Sequence, residues 1–498
     1  MLSTIEKKRL HFSKETASEK KSQFGQFFTP QKTAVFMANL FPYAYESCHL
    51  LDAGAGIGSL SAAFLDRWTN GGFGFANVTV DAFEVDPTLI DYLSHTLEKY
   101  YRRGDFSFNI YQEDFIHVAT QSILGSLFSE PLERYTHVIM NPPYRKISSA
   151  SLYRKILRNV GIETVNLYSA FVSLAVALAA PGAQIVAIIP RSFCNGPYYR
   201  PFREFILERA AIRHIHLFES RRAAFKDDQV LQENVIIHLE RGADQEQVTI
   251  STSTDDSFTD LATCRHSFDR IVYSGDPERF IHIPTTADQS ALELLFNFEF
   301  NLTDIGINVS TGPVVEFRHR EHLRDMPEPD TVPLLYPAHF TGGNTVWPIA
   351  DSKRPNAILY SAETEKWLYP NGFYCVVRRF SSKEERHRIV ASVVEPSAFG
   401  DSPMIGFENH LNVFHIDRRG LSEALARGLA VFLNSTVVDE YFRRFSGHTQ
   451  VNATDLRLLQ YPDAATLSRL GNWAAGQSEL TQEQIDHQIK REASDRQQ

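Results

Sequence analysis

The sequence predicts an α/β protein in which a doubly wound, mostly parallel sheet of seven strands precedes a mixed α+β region. Short apolar runs alternate with stretches of helical periodicity through about the first 240 residues, as in successive βαβ units. A glycine-rich turn joins the first strand to its helix. Four successive strands then end in polar or glycine-rich residues, at the edge where open α/β sheets bind ligands.

The chain has 498 residues, which exceeds one ordinary hydrophobic core, so roughly two to four domains are expected. Its hydrophobic content of 43% and aromatic content of 12% are typical of a well-packed globular protein. The net charge of −10 argues against binding of nucleic acid through overall basicity, although a local basic cleft is compatible with it. The four cysteines lie far apart without a CxxC motif, which indicates neither a zinc site nor a disulfide framework and fits a reducing cytoplasm.

The N-terminus and the apolar runs indicate an intracellular protein. Charged residues in M-L-S-T-I-E-K-K-R-L stand where a signal peptide would have its apolar core. The most apolar helical run, 167–180, is interrupted by serines and is too short to span a bilayer. We therefore expect a cytoplasmic monomer without a membrane anchor, beginning with a flexible arm over residues 1–22.

The segment F-G-Q-F-F-T-P at 24–30 precedes a helix predicted over Gln31 to Leu40. Thr29 suits the N-cap and Pro30 the first turn, so the free amides and positive dipole end of the helix should lie here. By itself the pattern also fits a capped helix that packs on an aromatic cluster.

The first strand, H-L-L-D-A at 49–53, runs through Asp52 and Ala53 into the turn G-A-G-I-G-S-L, and an alanine-rich helix follows. Gly54 and Gly56 let the backbone approach a ligand closely. The turn by itself fits NAD, FAD, S-adenosylmethionine or no ligand. Its departure from the G-x-G-x-x-G spacing of dehydrogenases disfavours NAD.

Two carboxylates and an aromatic residue follow the next two strands. Strand 78–84 ends in Glu84, which can accept hydrogen bonds from a ribose diol. After the third strand, 106–111, Asp114 can accept from the amino group of an adenine and Phe115 can pack on its ring. Asp114 fits equally well as a helix N-cap.

The fourth strand is the apolar run that ends at N-P-P-Y, residues 141–144. Because Asn before Pro favours an extended backbone, the amide oxygen of Asn141 and the carbonyl of Pro142 can face one cleft. Each can accept a hydrogen bond from an exocyclic NH2 group, which leaves its nitrogen lone pair ready to attack an electrophile. Tyr144 offers a flat face for a planar base or amide. The alternative is a plain turn after a strand.

Further elements complete the predicted sheet by about residue 240. We predict helices at 166–180 and 198–210 and strands at 184–189, 213–218 and 233–239. The charged loop before the last strand contains Phe225, which is either an exposed stacking platform or an aromatic tucked under the loop.

From about residue 241 the sequence becomes rich in Thr, Ser and Asp, which marks a domain boundary. We therefore divide the chain into 1–22, 23–245 and 246–477, with a polar tail, predicted to be a frayed helix, at 478–498. The second half mixes basic, aromatic and amide side chains suited to phosphates and base edges. The candidate nucleic-acid contacts are Arg378, Arg379, Arg443, Arg444, His448, Gln450 and Asn452.

These motifs, in this order, resemble the type II restriction-modification adenine-N6 DNA methyltransferases of the gamma arrangement, and most of all the PstI/BsuBI-type modification methylases. The resemblance covers nearly the whole chain, from F-x-Q-F-x-T-P through the glycine turn and N-P-P-Y to S-G-H-T-Q-V-N-A-T-D-L-R near the end. It implies a Rossmann-like methyltransferase sheet over 23–245 and a DNA target-recognition domain over 246–477.

The resemblance implies S-adenosylmethionine as the cofactor and double-stranded DNA as the partner. The sequence contains no cluster of metal-ligating residues, so we expect no metal. A target adenine would be flipped out of the duplex and gripped by Asn141, Pro142 and Tyr144, with Phe225 on its other face. The cofactor-binding residues that it implies are Thr29, Asp52, Ala53, Gly54, Gly56, Glu84, Asp114 and Phe115. No strong general base is evident near N-P-P-Y, so we expect orientation and electrostatics to supply the rate.

The resemblance also implies protection of DNA from a separate cognate restriction endonuclease, without a stable complex, and CTGCAG as the target. Two alternatives stay open. N-P-P-Y also serves methylation of RNA guanine and of protein glutamine, because any planar NH2 group fits two acceptors. The other alternative is a non-catalytic DNA-binding protein that keeps the fold.

Overall fold

The chain folds into two compact units in the computed structural model. The structure describes residues 6, 28–44, 46–101, 104–125, 134–219, 233–284, 298–341, 343–381, 385–445, 450–477 and 479–494. The first unit comprises Met1–Ala287 with Phe445–Gly447, and the second comprises Asp288–Arg444 with His448–Gln498. Apart from Glu6, the arm predicted at 1–22 lies outside the described residues, as do Phe225 and His448.

The first unit is built on a nine-stranded sheet within the described residues. The strands are β1 (Cys48–Ala53), β2 (Val78–Phe83), β3 (Phe106–Tyr111), β4 (Tyr135–Met140), β5 (Ala179–Pro190), β6 (Ala210–Phe218), β7 (Asn234–Arg241), β8 (Val248–Ser253) and β9 (Ala262–His266). Their order across the sheet is β3-β2-β1-β4-β5-β7-β6-β8-β9.

Parallel pairing brings the ends of β1 to β5 to one edge of this sheet. Leu51 of β1 lies opposite Val138 of β4. The strand order reverses between β1 and β4, which is the kind of switch point where open α/β sheets bind ligands. The glycine turn and N-P-P-Y, which follow these two strands, are therefore neighbours.

The central strands β1 and β4 are buried on both faces. Leu50 of β1 and Ile139 of β4 belong to one apolar core, whereas the adjacent Leu51 and Val138 belong to the other. This alternation follows from the two-residue period of a strand. The helices of the first unit are α1 (Gln31–Asn39), α2 (Ser59–Thr69), α3 (Pro87–Glu98), α4 (Phe115–Leu124), α5 (Leu152–Asn159), α6 (Leu167–Leu178) and α7 (Arg200–Arg209).

The predicted α/β class is confirmed, but the prediction of seven strands is wrong. The sheet continues through β8 and β9, and the first unit extends to Ala287, beyond the boundary placed at 245/246. The sequence of β8, V-T-I-S-T-S, looks like a polar linker. Ser251 and Ser253 of β8 are buried, and their hydrogen bonds with the imidazole of buried His216 offset the cost of burying these hydroxyls.

The second unit has a mixed α+β architecture. Its sheets have the orders β10-β20-β17-β18, β11-β15-β12-β19-β16 and β13-β14. The strands are β10 (Asn308–Thr311), β11 (Leu323–Arg324), β12 (Thr331–Leu335), β13 (Phe340–Thr341), β14 (Asn344–Thr345), β15 (Ala357–Leu359), β16 (Leu368–Pro370), β17 (Tyr374–Arg378), β18 (Ala391–Val394), β19 (Met404–Phe407) and β20 (Leu411–His415). The helices are α8 (Glu423–Leu433), α9 (Thr436–Phe445), α10 (Ala453–Arg457), α11 (Ala464–Ala475) and α12 (Gln482–Ser494).

The tail at 478–498 contains a helix, α12, as predicted, but the helix is packed rather than frayed. Ile485, Ile489 and Ala493 are buried, at a spacing of four residues that places them on one face of the helix. Three apolar residues among polar ones are a weak signal in sequence, but they suffice to pack the helix once a surface is available.

No helix in the described part of the chain is both long and apolar enough to cross a membrane. The four cysteines are free of disulfide bonds. The described residues contain no group of His, Cys, Asp and Glu side chains that could hold a metal ion.

Asp52 at the end of β1 ties that strand to α2 and so fixes the glycine turn between them. One oxygen of its fully buried carboxylate accepts from the Ser61 amide at 3.2 Å and the Ser61 hydroxyl at 2.6 Å. The other oxygen has no hydrogen-bond partner among the described residues. Burial outweighs the bonds from Ser61 and raises the pKa of Asp52 from 3.8 to about 7.

We predict that Asp52→Asn makes the stability of the first unit less dependent on pH. A carboxyl whose pKa is higher in the folded chain binds more protons when folded, so its contribution to stability is lost as the pH rises from about 4 to about 7. The variant should lose a slope of at most about 1.4 kcal/mol per pH unit in that window. Urea denaturation at pH 5, 6 and 7 measures it, and parallel curves for parent and variant would contradict it.

Candidate active site

A cleft of about 740 Å³, partly open to solvent, lies at the carboxyl edge of the sheet in the first unit. The cleft is lined by Phe28, Thr29, Gly54, Ala55, Gly56, Ile57, Ser59, Leu60, Phe83, Glu84, Val85, Glu113, Phe115, Asn141, Pro143 and Phe171. The chain therefore brings the glycine turn, two strand-end segments and N-P-P-Y to one cavity.

The glycine turn brings its backbone against N-P-P-Y. The amides of Gly54 and Ala55 donate to the Phe83 carbonyl at 3.0 and 2.9 Å, which holds the turn on the end of β2. Gly54 has a positive φ of 80°, and a Cβ added there would lie 3.8 Å from the backbone oxygen of Asn141. Glycine thus provides the backbone conformation that the turn needs, and the turn lies within van der Waals reach of Asn141. By contrast, Asp52 and Ala53 are fully buried and do not line the cleft.

Glu84 forms part of the cleft wall and braces the turn. One carboxylate oxygen accepts from the Gly56 amide at 2.8 Å, and the other accepts from the Asp86 amide at 2.8 Å. Burial raises the pKa of Glu84 despite these bonds. The carboxylate is therefore held in a fixed orientation between the ends of β1 and β2.

Asp114 is the N-cap of α4, one of the two interpretations that the sequence allowed. Its Oδ1 accepts from the amides of Ile116 and His117 at 2.9 and 3.3 Å, and its Oδ2 accepts from the Tyr153 hydroxyl. Burial and this bond raise the pKa of Tyr153 to about 12. Asp114 does not itself line the cleft, whereas its neighbours do. Its role at an adenine stays a prediction.

Phe115 lies in the cleft wall among other aromatic rings. Its ring centroid is 5.2 Å from that of Phe83 and 5.1 Å from that of Phe171. Phe28 and Phe171 line the same cleft, and sequence reasoning did not select either as a site residue. Phe28 lies inside F-F-T-P and could have been found there. Phe171 lies in an apolar helix and looks like any core residue.

Asn141 has both ends of its amide held by hydroxyl groups. Its Nδ2 donates to Thr29 Oγ1 at 3.0 Å, and the Tyr144 hydroxyl donates to its Oδ1 at 2.8 Å. That hydroxyl also lies 3.1 Å from the carbonyl of Ile188 in β5. Burial raises the pKa of Tyr144 well above its usual range, so it remains a hydroxyl.

The prediction that Thr29 caps α1 is wrong. The helix begins at Gln31 with Pro30 as its N-cap, and the Gln31 amide donates to the Glu6 carboxylate at 3.1 Å. The Thr29 hydroxyl instead contacts the Asn141 amide, 112 residues away in sequence. Of the predicted catalytic residues, Asn141 lines the cleft, while Pro142 is buried and Tyr144 half-buried just beyond it.

Some of the candidate nucleic-acid contacts of the second unit already form ion pairs or hydrogen bonds within the protein. Arg378 pairs with Glu385, and Arg443 pairs with Asp439 at 2.6 Å. Asn452 forms the capping box of α10 with Asp455. His448 and the side chain of Arg444 lie outside what the structure describes.

Arg379 and Gln450 form a different arrangement. The Arg379 guanidinium donates to Gln450 Oε1 at 3.4 Å and to the Asn409 carbonyl at 3.3 Å. Its carbon lies 5.9 Å from the ring centroid of Phe380, a side chain that is 40% exposed. Among the described residues no carboxylate pairs with Arg379.

Comparison with known proteins identifies relatives along the whole chain. Residues 9–225 match the Eco57I restriction-modification methylase family. The chain is 50% identical to the type II methyltransferase M.BsuBI of Bacillus subtilis over 494 residues, which is 98% of this chain and 97% of that protein. It is 41% identical to the type II methyltransferase M.PstI of Providencia stuartii over 459 residues, which is 91% of this chain and 89% of that protein.

Among solved structures, the chain is similar in fold to DrdV in its DNA complex. The TM-score is 0.52 at 12% identity, over 93% of this chain and 58% of that one. A likeness at this identity concerns the fold alone. The sequence identities of 50% and 41% across nearly the full length carry the assignment, and the chain belongs to the type II restriction-modification methyltransferases.

Proposed function

We propose that this protein transfers a methyl group from S-adenosylmethionine to the N6 amino group of an adenine in a specific DNA sequence. The observation that carries the proposal is the Asn141 amide, which lies in one cleft with the glycine turn and Glu84. The order of motifs, which resembles the gamma adenine-N6 enzymes, supports adenine as the target. Modification by this protein would protect DNA from a separate restriction endonuclease.

The residues of the cleft fit the proposed cofactor. Gly54 and Gly56 have positive φ and carry no side chain, so a ligand can approach the backbone of the turn at these two positions. The Glu84 carboxylate in the cleft wall is of the chemical type that accepts hydrogen bonds from ribose hydroxyls. Phe28 and Phe115 offer apolar faces for a purine ring. S-adenosylmethionine, when bound, supplies the sulfonium methyl group that is transferred.

The chain's own contribution to the reaction is orientation of the target amine. The Asn141 amide oxygen and the Pro142 carbonyl accept its two hydrogens, which aims the nitrogen lone pair at the donor. Because burial keeps Tyr144 protonated, Tyr144 does not act as a base. We therefore propose that the proton leaves after methyl transfer, and that the fixed acceptors stabilise the charge on the amine as it develops.

The second unit is the proposed target-recognition domain. Its Arg379, free of a carboxylate partner within the described residues, is suited to a phosphate, and the exposed ring of Phe380 adds an apolar contact. Gln450 offers an amide edge beside them, of the kind that reads adenine. We propose base flipping with Phe225 on the far face of the base. We propose CTGCAG as the target, because the motifs most resemble the PstI/BsuBI-type modification methylases.

We predict that Asn141→Ala reduces methyl transfer at saturating donor by at least about 100-fold, because the main acceptor for the target amine is lost. Incorporation of labelled methyl into a duplex that contains CTGCAG, followed by nucleoside analysis for N6-methyladenine, measures it. The matched control is Asn77→Ala, an exposed asparagine before β2 at the opposite edge of the sheet, which should keep parent activity.

Full activity of Asn141→Ala would contradict the proposed mechanism. Parallel assays with RNA and with protein extract test the alternative substrates. Label that enters either of these, and not the duplex, would overturn the proposal of a DNA target.

We predict that Glu84→Gln weakens binding of S-adenosylmethionine by about 10- to 100-fold. Glutamine has a single acceptor oxygen, so the Gly56 or Asp86 amide loses its partner and the ribose loses a charged acceptor. Calorimetry without DNA measures the change. Exposed Glu46→Gln serves as the control and should bind like the parent. Unchanged affinity in Glu84→Gln would remove this residue from the cofactor site.

We predict that Arg379→Gln weakens binding of duplex DNA and lowers the salt dependence of log K by about one unit, as expected for loss of one phosphate contact. Fluorescence anisotropy over a salt series measures both quantities. Arg324→Gln is the control, because Arg324 already pairs with Glu328 and should leave the slope unchanged. Equal slopes for parent and Arg379→Gln would exclude a phosphate contact at this residue.

A further inference from the structure

The contact between Thr29 and Asn141 assigns Thr29 a role that differs from cofactor binding. The Thr29 side chain is 4% exposed, and its Oγ1 lies 3.0 Å from Asn141 Nδ2. Both residues line the same cleft, although one precedes α1 and the other follows β4. Thr29 thus connects the start of α1, which borders the proposed cofactor site, to the Asn141 amide, which is proposed to hold the target amine.

The Asn141 amide also contacts the Tyr144 hydroxyl, and that contact does not by itself fix the orientation of the amide. The Tyr144 hydroxyl lies within hydrogen-bond distance of both Asn141 Oδ1, at 2.8 Å, and the Ile188 carbonyl, at 3.1 Å. A hydroxyl has a single hydrogen to donate, so the two acceptors compete for it. A terminal amide torsion is broad, so each hydrogen bond to the amide helps to fix its plane. The Thr29 contact restrains the end opposite to Tyr144.

Thr29 is itself held rigidly. Pro30 follows it directly, and Ala34, Met37 and Ala38 of α1 are buried in the core behind it. The hydroxyl therefore lies at the end of a packed helix rather than on a loose loop. A fixed acceptor on one side and Tyr144 on the other hold the plane in which the Asn141 oxygen can meet the target amine.

We propose that Thr29 is a positioning residue for methyl transfer, acting through the orientation of the Asn141 amide and not only through affinity for the methyl donor. This proposal rests on the proposed function. It implies that removal of the Thr29 hydroxyl lowers the rate of the chemical step even when every cofactor site is filled.

The test compares Thr29→Val, which keeps the shape and removes the hydroxyl, with Thr29→Ser, which keeps the hydroxyl. Single-turnover methylation of a CTGCAG duplex is measured at saturating S-adenosylmethionine, with enzyme concentration set by the calorimetric number of donor sites. That normalisation counts folded protein only. We expect about a tenfold lower rate constant for Thr29→Val, the loss of one hydrogen bond, and a rate constant within about twofold of the parent for Thr29→Ser.

A loss of at least fivefold that serine prevents supports the proposal. A loss of less than fivefold in Thr29→Val at saturating donor overturns the proposal. Donor binding would then remain as the role of Thr29. Equal losses in the two variants also overturn it, because the hydroxyl would then not be the active feature. If Thr29→Val binds no donor, Thr29→Ala takes its place under the same criteria. Failure of the proposed function is distinct, because the parent protein itself would then not methylate the duplex.

Discussion

Parallel pairing of β1 with β4 is the constraint on which the candidate active site depends. It places the glycine turn after β1 beside N-P-P-Y after β4, with Leu51 opposite Val138 to set the register. A slip by one residue would turn the alternating apolar side chains toward the wrong cores, so burial on both faces fixes the register firmly. Two segments almost 90 residues apart in sequence thereby form one wall of the cleft.

Polar groups at this edge are held by the protein before any ligand arrives. Glu84 accepts two backbone amides, Asp52 accepts the amide and hydroxyl of Ser61, and both ends of the Asn141 amide contact hydroxyls. Burial raises the pKa of both carboxyls, which shows that desolvation exceeds the gain from these bonds. Burial of such polar groups lowers the stability of the fold. Because the groups are already fixed in position, they need little reorganisation when a substrate binds.

The second unit shows how an acidic protein can still offer local positive charge. Arg378 and Arg443 are each paired with a carboxylate, so their charges are largely compensated within the unit. Within the described residues, Arg379 is bonded to neutral groups, a carbonyl and an amide, and no carboxylate there compensates its charge beside the exposed ring of Phe380. Net charge therefore says little about the site, since the field depends on which cations have acidic neighbours.

The sequence by itself determined the α/β class, the strands and helices around the glycine turn, and the order of the motifs, because periodicity and turn residues act over short distances. The third strand, 106–111, matches β3 residue for residue. The tertiary structure decided the rest. It placed polar β8 in the sheet, packed α12, used Asp114 as a helix cap bonded to Tyr153, and turned Thr29 from its own helix to Asn141. Each of these features depends on a partner remote in sequence. A side chain that can make either a local or a distant hydrogen bond makes the distant one only where the fold brings that partner within reach.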